Sequence, residues 1–238
     1  MDAPFIDHAI TKEQLLKQLN SSWFERIPGL ESRPYWNSIV EGMNDSLRIG
    51  HPAMPKLNRI FYALNEFDAS NFRVLIIGQD PYPTIGAANG LAFATYKKIR
   101  IQKSLDAIFK EIDDEYGSDM RVRNEENGSL LSWMKQGVLL LNATLTIGTD
   151  NYQHRAIGWK SFTNEIIQYL DAHYRFVTIA MGADAREIAK LNITENLDSI
   201  IITKHPMVRD NTFAGNNAFI QCNDKLMEKG LSIIRWVY

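Results

Sequence analysis

The chain has 238 residues, 45% of them hydrophobic and 23% charged, with a formal net charge of −2. That balance suits a globular protein with a sizeable core; no apolar run approaches the roughly 20 residues that span a bilayer, and the acidic, polar start does not read as a secretory signal, so an intracellular location is expected. Net charge offers nucleic acid no general attraction, the single cysteine, Cys222, excludes an internal disulfide and reads as a small buried side chain, and the five scattered histidines lack metal-ligand spacing, so no protein-bound metal is expected.

In chain order, Thr11-Lys12-Glu13-Gln14 has the capping-box pattern, and Leu15, Leu16, Leu19 and Trp23 follow at helical spacing, which predicts an N-terminal amphipathic helix. Prolines and a glycine punctuate the next stretch around a short helix at 35–43. From Pro55, Leu57, Ile60, Phe61 and Leu64 form one apolar stripe. Residues 74–83, Val-Leu-Ile-Ile-Gly-Gln-Asp-Pro-Tyr-Pro, begin as a strand covered on both faces and end abruptly in Asp80, Pro81 and Tyr82. The small-residue segment 86–94 lets the backbone lie close to a ligand or to an adjacent strand. Lys97, Lys98, Arg100 and Lys103 precede a helix carrying Leu105, Ile108, Phe109 and Ile112, whose acidic run at 111–115 is expected to face water. A second all-apolar strand at 138–141 ends in Asn142, and further strands at 176–181 and 199–203 end in Gly182 and Lys204-His205-Pro206, with helices at 159–173, 183–191 and 217–229 between and after them.

Strands alternating with helices predict an α/β fold, three layers (α/β/α) around a central four-stranded parallel sheet. No linker or repeat divides the chain, so a single domain is expected over 1–238, residues 1–54 forming a helical N-terminal extension packed on it. Ligand groups of open parallel sheets gather at the carboxyl ends of the strands, which puts Asp80, Asn142, Gly182 and His205 on one edge. An acid, an amide and an imidazole then face one cleft. A carboxylate can stabilise an oxocarbenium-like state and orient water, as cleavage of an N-glycosidic bond requires. Asn142 can read the edge of a base, Phe93 can stack on a flat ring, Tyr82 can form a steric wall, and His205 can donate to a developing oxyanion. Other nucleoside or sugar substrates fit the same set.

The segments Gly78-Gln79-Asp80-Pro81-Tyr82, Gly90-Leu91-Ala92-Phe93, Leu139-Leu140-Leu141-Asn142 with Leu145-Thr146, Gly158-Trp159 and His205-Pro206 together resemble, in order and spacing, the motif set of family 1 uracil-DNA glycosylases. The resemblance covers roughly residues 55 to 236. It implies that Asp80 and His205 are catalytic, Asp80 positioning the attacking water and His205 acting as a neutral electrophile at uracil O2. It further implies a uracil pocket made by the Gln79 backbone, Tyr82 as the wall against thymine's methyl group, Phe93 as the stacking platform and Asn142 as the reader of N3 and O4. Flipping of deoxyuridine and hydrolysis to an abasic site follow, as base excision repair of DNA damage, with no cofactor.

Several positions depart from the common pattern. Pro83 replaces a usual histidine, as in poxviral members. Of the proline-rich loop expected before the helix, only Ser104 carries over as a phosphate contact. Gly182-Ala183 stands where Gly-Ser is usual, so that DNA-contact position lacks one phosphate-binding hydroxyl. Arg209 stands where an apolar wedge usually fills the space left by the flipped base, and His154 matches a position that contacts the DNA backbone. The implied partners are single- and double-stranded DNA containing uracil, together with the proteinaceous glycosylase inhibitors that engage this family. The expected state is a monomer without membrane attachment, cytoplasmic, or nuclear or in a viral factory for a eukaryotic or viral host. A DNA-binding replication or processivity scaffold that retains the fold is the alternative.

Overall fold

Thr11 caps the first helix, α1 (Lys12–Leu16), as its sequence predicts: its hydroxyl accepts from the Gln14 amide and the Gln14 side chain accepts in return from the Thr11 amide. The helix does not continue to Trp23. Asn20 interrupts it, its amide donating to Asn65 Oδ1 while its own side chain accepts from Ser22, and a second helix, α2 (Ser22–Arg26), starts there. This computed structural model describes residues 3–96, 99–117, 127–208 and 212–238. The next helix, α3 (Tyr35–Arg48), outruns the expected 35–43 and buries Trp36, Ile39 and Met43. Strand β1 (Ala53–Met54) follows. The stripe after Pro55 forms a 3-10 turn at Leu57–Arg59 and a short α4 (Tyr62–Asn65) rather than one helix, with Ile60, Phe61, Ala63 and Leu64 all buried.

The buried runs become strands as read. They are β2 (Val74–Gly78), then, after α5 (Lys103–Tyr116) and the short α6 (Leu131–Met134), β3 (Val138–Asn142). A two-residue β4 (Ile147–Gly148) pairs with β1 in a small antiparallel sheet that the sequence does not announce. Then come α7 (Trp159–His173), β5 (Val177–Met181), α8 (Ala183–Asn192), β6 (Ile200–Thr203) and α9 (Ala218–Glu228). The central sheet has the order β3-β2-β5-β6, with every pair parallel. Right-handed crossovers from β2 one way to β3, and from β3 back across to β5 and β6, put α5 and α6 on one face and α7 and α8 on the other. Helix α9 joins α5, and α3 joins α7. Helices thus flank a four-stranded parallel sheet, as expected.

The core is aromatic. Trp36, Phe61, Trp159 and Phe162 pack ring on ring beneath one face, with Trp36 and Phe162 centroids 4.9 Å apart, and Trp133, Phe219 and Trp236 do so beneath the other. Trp36 donates to the Leu30 carbonyl, Trp133 to that of Val237 and Trp159 to the Thr146 hydroxyl, whereas the buried Trp236 N–H has no acceptor among the described residues. The N-terminal segments are tied to the rest through Trp23, which donates to the Leu64 carbonyl at 2.9 Å, and through Arg33 and Tyr35, both bonded to Glu165 of α7. Cys222 is fully buried, and burial pushes its thiol pKa up.

The acidic run of α5 does not simply face water. Glu111, 1% exposed, accepts from the backbone amides of Gly215 and Asn217, and Glu115 accepts from those of Phe219 and Ile220. The amides of Asn217, Phe219 and Ile220 are among the orphan donors at the start of α9, where carboxylates also meet the positive end of the helix dipole. Burial pushes Glu115 up to about 7, against the lowering effect of those two amides. Among the described residues no helix is long and apolar enough to cross a membrane.

Candidate active site

The strand order reverses between β2 and β5, since β2 connects outward to β3 and β5 outward to β6. Such a switch point opens a crevice at the carboxyl ends of the strands. A cavity of about 180 Å³ lies at that edge, lined among others by Gln79, Asp80, Tyr82, Phe93, Asn142 and His205. Six of the residues singled out from sequence therefore converge, from four separate segments of the chain.

Asn142 is placed by register. It pairs with Gly78 across the β2/β3 ladder, and the ladder runs on past both strands, Ala143 and Thr144 donating to the carbonyls of Gly78 and Gln79 at 2.9 Å. Its amide, 7% exposed, lies over Gly78, where a Cβ would overlap Asn142 Oδ1 and crowd the Ala92 methyl. Glycine at 78 is thus what lets the amide reach the cavity. The small-residue segment packs on β3, the Ala92 amide donating to Leu140 at 3.0 Å, while Gly90 lies against the Arg59 carbonyl. Phe93 then takes a left-handed φ of 62°, unusual for an aromatic residue. It brings its ring to 6.4 Å from that of His205.

Tyr82 donates to the Phe93 carbonyl at 2.8 Å, which uses its only proton, so the Ser104 hydroxyl donates to Tyr82 in turn at 2.8 Å. Burial pushes the phenol up to about 12. The ring is held as a fixed wall. Ser104 is itself 6% exposed and serves that wall in this structure.

His205 follows β6. The Met207 amide donates to its Nδ1 at 3.1 Å, so the neutral ring carries its proton on Nε2. Burial lowers its pKa below the usual value, although Asp80 and Asp184 pull the other way. The neutral donor form is therefore favoured near pH 7. Gly182, with φ of 102°, lies against the His205 side chain, and Ala183 opens α8 beside it.

Two charged residues at this edge are not apparent from sequence. Arg155 donates from Nη2 and Nε to one oxygen of Asp80, at 2.9 and 3.1 Å. Asp184, in the first turn of α8, accepts from the Gln79 side chain and lies 4.0 Å from Arg155 Nη1. No spacing rule links residue 155 in a loop to a strand end 75 positions earlier; only the strand order brings them together. His154 is buried at 1% exposure, hydrogen-bonded to the Thr146 hydroxyl, which also accepts from Trp159, and burial pushes it down to about 4. It lies beneath the surface where a DNA-backbone contact was expected. Arg209, Lys97 and Lys98 lie outside the described residues.

An acid, an amide and an imidazole around a cavity at a sheet switch point are the groups of a hydrolase suited to a nucleoside or sugar substrate. The chain belongs to the Uracil DNA glycosylase superfamily, whose profile matches residues 64–227. It is 32% identical over 228 residues to the uracil-DNA glycosylase of Amoebophilus asiaticus, spanning 94% of this chain and 96% of that protein. It is 33% identical over 222 residues to that of Bacillus licheniformis, spanning 92% and 96%. Among solved structures, mimivirus uracil-DNA glycosylase superposes with a TM-score of 0.81 at 23% identity, covering 97% of this chain and 90% of that one. A variant of the mimivirus protein in complex with UGI superposes with a TM-score of 0.82 at 22% identity, covering 97% and 92%. At that identity the structures speak for the fold alone.

Proposed function

We propose that the chain excises uracil from DNA as a family 1 enzyme with poxvirus-like loops, through the residues assembled at this edge. Deoxyuridine leaves the helix and its base enters the cavity, Asn142 hydrogen-bonding the N3 and O4 edge, Phe93 stacking on the ring and the Gln79 backbone completing the pocket. Tyr82, held by Phe93 and Ser104, blocks the position of a 5-methyl group. As the glycosidic bond lengthens, Asp80 stabilises the positive sugar and orients water at C1′, while His205 Nε2–H donates to O2 of the departing base. The products are uracil and an abasic site.

The observation that carries this reading is the Met207 amide on His205 Nδ1, which supports a neutral imidazole with its proton on the atom the reaction needs. Action as a monomer is part of the same proposal. The ties from Trp23 and Arg33 support treating residues 1–54 as part of the same working domain. Single- and double-stranded DNA are the proposed substrates. Ser104, Gly182, Ala183, His154 and Arg209 are the positions that the family resemblance assigns to DNA, of which Gly182 and Ala183, at the start of α8, are the better placed. Protein inhibitors are proposed as partners on the same face, since a variant of the mimivirus protein has been crystallised with UGI.

The test is release of uracil from a single-uracil oligonucleotide, read by alkaline cleavage of the abasic product. Wild type cleaves and spares thymine, while Asp80→Asn and His205→Leu each lose on the order of a hundredfold or more. An inactive wild type, or an Asp80→Asn variant that keeps full rate, refutes the assignment.

A further inference from the structure

Arg155 occupies a place where the proposed chemistry needs an unencumbered carboxylate. Its two N–H groups meet one oxygen of Asp80, and its third nitrogen lies 4.0 Å from Asp184. The Arg155 side chain is 42% exposed and that of Asp80 18%, so the pair sits at the mouth of the cavity. The backbone is pinned on both sides, by buried His154 on Thr146 and by Ile157, packed where Gly42 of α3 leaves no room for a Cβ. Only the side chain is free to change partner.

A guanidinium in contact with Asp80 opposes the reaction in two ways. It cancels much of the negative field that steadies the sugar cation, and it repels that cation directly. Relief requires something that draws the guanidinium off Asp80. A competing anion can, and a phosphodiester presents the oxygen pair that a guanidinium fork matches. Asp184 adds a second seat on the far side.

We propose that Arg155 is a positioning residue acting through Asp80: without DNA it shields the carboxylate, and on binding it passes to a phosphate flanking the uracil nucleotide, which exposes Asp80 to the sugar. The inference rests on the glycosylase reading above. It makes the backbone phosphate a specificity element, so that a free nucleoside lacks the group that unlocks the acid.

The experiment measures kcat/KM on a trinucleotide with central deoxyuridine, carrying either natural linkages or neutral methylphosphonates on both sides of the uracil nucleotide, for wild type, Arg155→Ala and Arg155→Lys. Neutralising the linkages is expected to cost wild type about tenfold more than Arg155→Ala, within the usual range for coupled sites. On the neutral substrate Arg155→Ala is expected to exceed wild type, and Arg155→Lys to restore most of the linkage sensitivity. Equal fold losses for wild type and Arg155→Ala, or an Arg155→Ala enzyme slower than wild type on the neutral substrate, overturn the proposal while leaving the glycosylase reading intact. A wild type inactive on the natural trinucleotide and on longer uracil DNA overturns both.

Discussion

Replacing Gly78 by alanine tests whether the reading amide is positioned by the strand beneath it. The added methyl would overlap Asn142 Oδ1 and crowd the Ala92 methyl, so the amide must turn away from the cavity. A bound base then loses up to two hydrogen bonds, each worth about 1–3 kcal/mol once a buried partner is left unsatisfied. A total near 3 kcal/mol corresponds to about a hundredfold in kcat/KM. Overpacking against Ala92 adds about 1–3 kcal/mol of lost stability, which at this chain length lowers Tm by roughly 4–8 °C for the middle of that range. Kinetics on a uracil oligonucleotide, with a thermal melt for each protein, separate the two effects. Because Gly78 acts through Asn142, the Gly78→Ala/Asn142→Ala double variant should be no slower than Asn142→Ala alone. Activity of Gly78→Ala within twofold of wild type, or losses that multiply in the double variant, would refute the reasoning.

Three other outcomes are expected. Tyr82→Ala opens the wall held by Phe93 and Ser104 and should release thymine from normal DNA, detectable as abasic sites; strict uracil selectivity in that variant places the filter elsewhere. With His205 held below its usual pKa by burial, the acid limb of kcat/KM should have its midpoint below pH 6.5, and a midpoint above that value contradicts a neutral donor. Glu115 has a raised folded pKa of about 7, so its contribution to stability is fully present below about pH 4.5 and is lost as pH rises through 7. Relative to Glu115→Gln, wild type should lose on the order of 1 kcal/mol between pH 5 and 8, after allowance for solvent screening, a change followed by denaturant titration at each pH; a constant difference counts against a raised pKa.

Strands β2, β3 and β5 were legible because each is a short, mostly aliphatic run covered on both faces, and the edge strand β6 because it is a run of isoleucines; Asp80, Asn142 and His205 followed from where those runs stop. What sequence could not supply was the partner of a polar group. The helix begun at Thr11 breaks because Asn20 finds Asn65, and the acidic run of α5 turns inward because α9 presents unpaired amides there. Arg155 and Asp184 escaped for the same reason: their meaning comes from strands β2 and β5 being neighbours, which apolar periodicity does not encode. Ser104 and His154, assigned to DNA by resemblance, are hydrogen-bonded within the protein to Tyr82 and Thr146.

The row β3-β2-β5-β6 also works as a ruler. Backbone hydrogen bonding spaces neighbouring strands by about 4.8 Å, so the bases of the four tips stand at fixed intervals over about 14 Å, whatever side chains they carry. Point substitutions cannot alter that graduation. They change only how far each group reaches from its mark and what it carries at the end. Exchanging a tip or a loop between tips, as at Pro83, therefore leaves the distances between the anchor points constant.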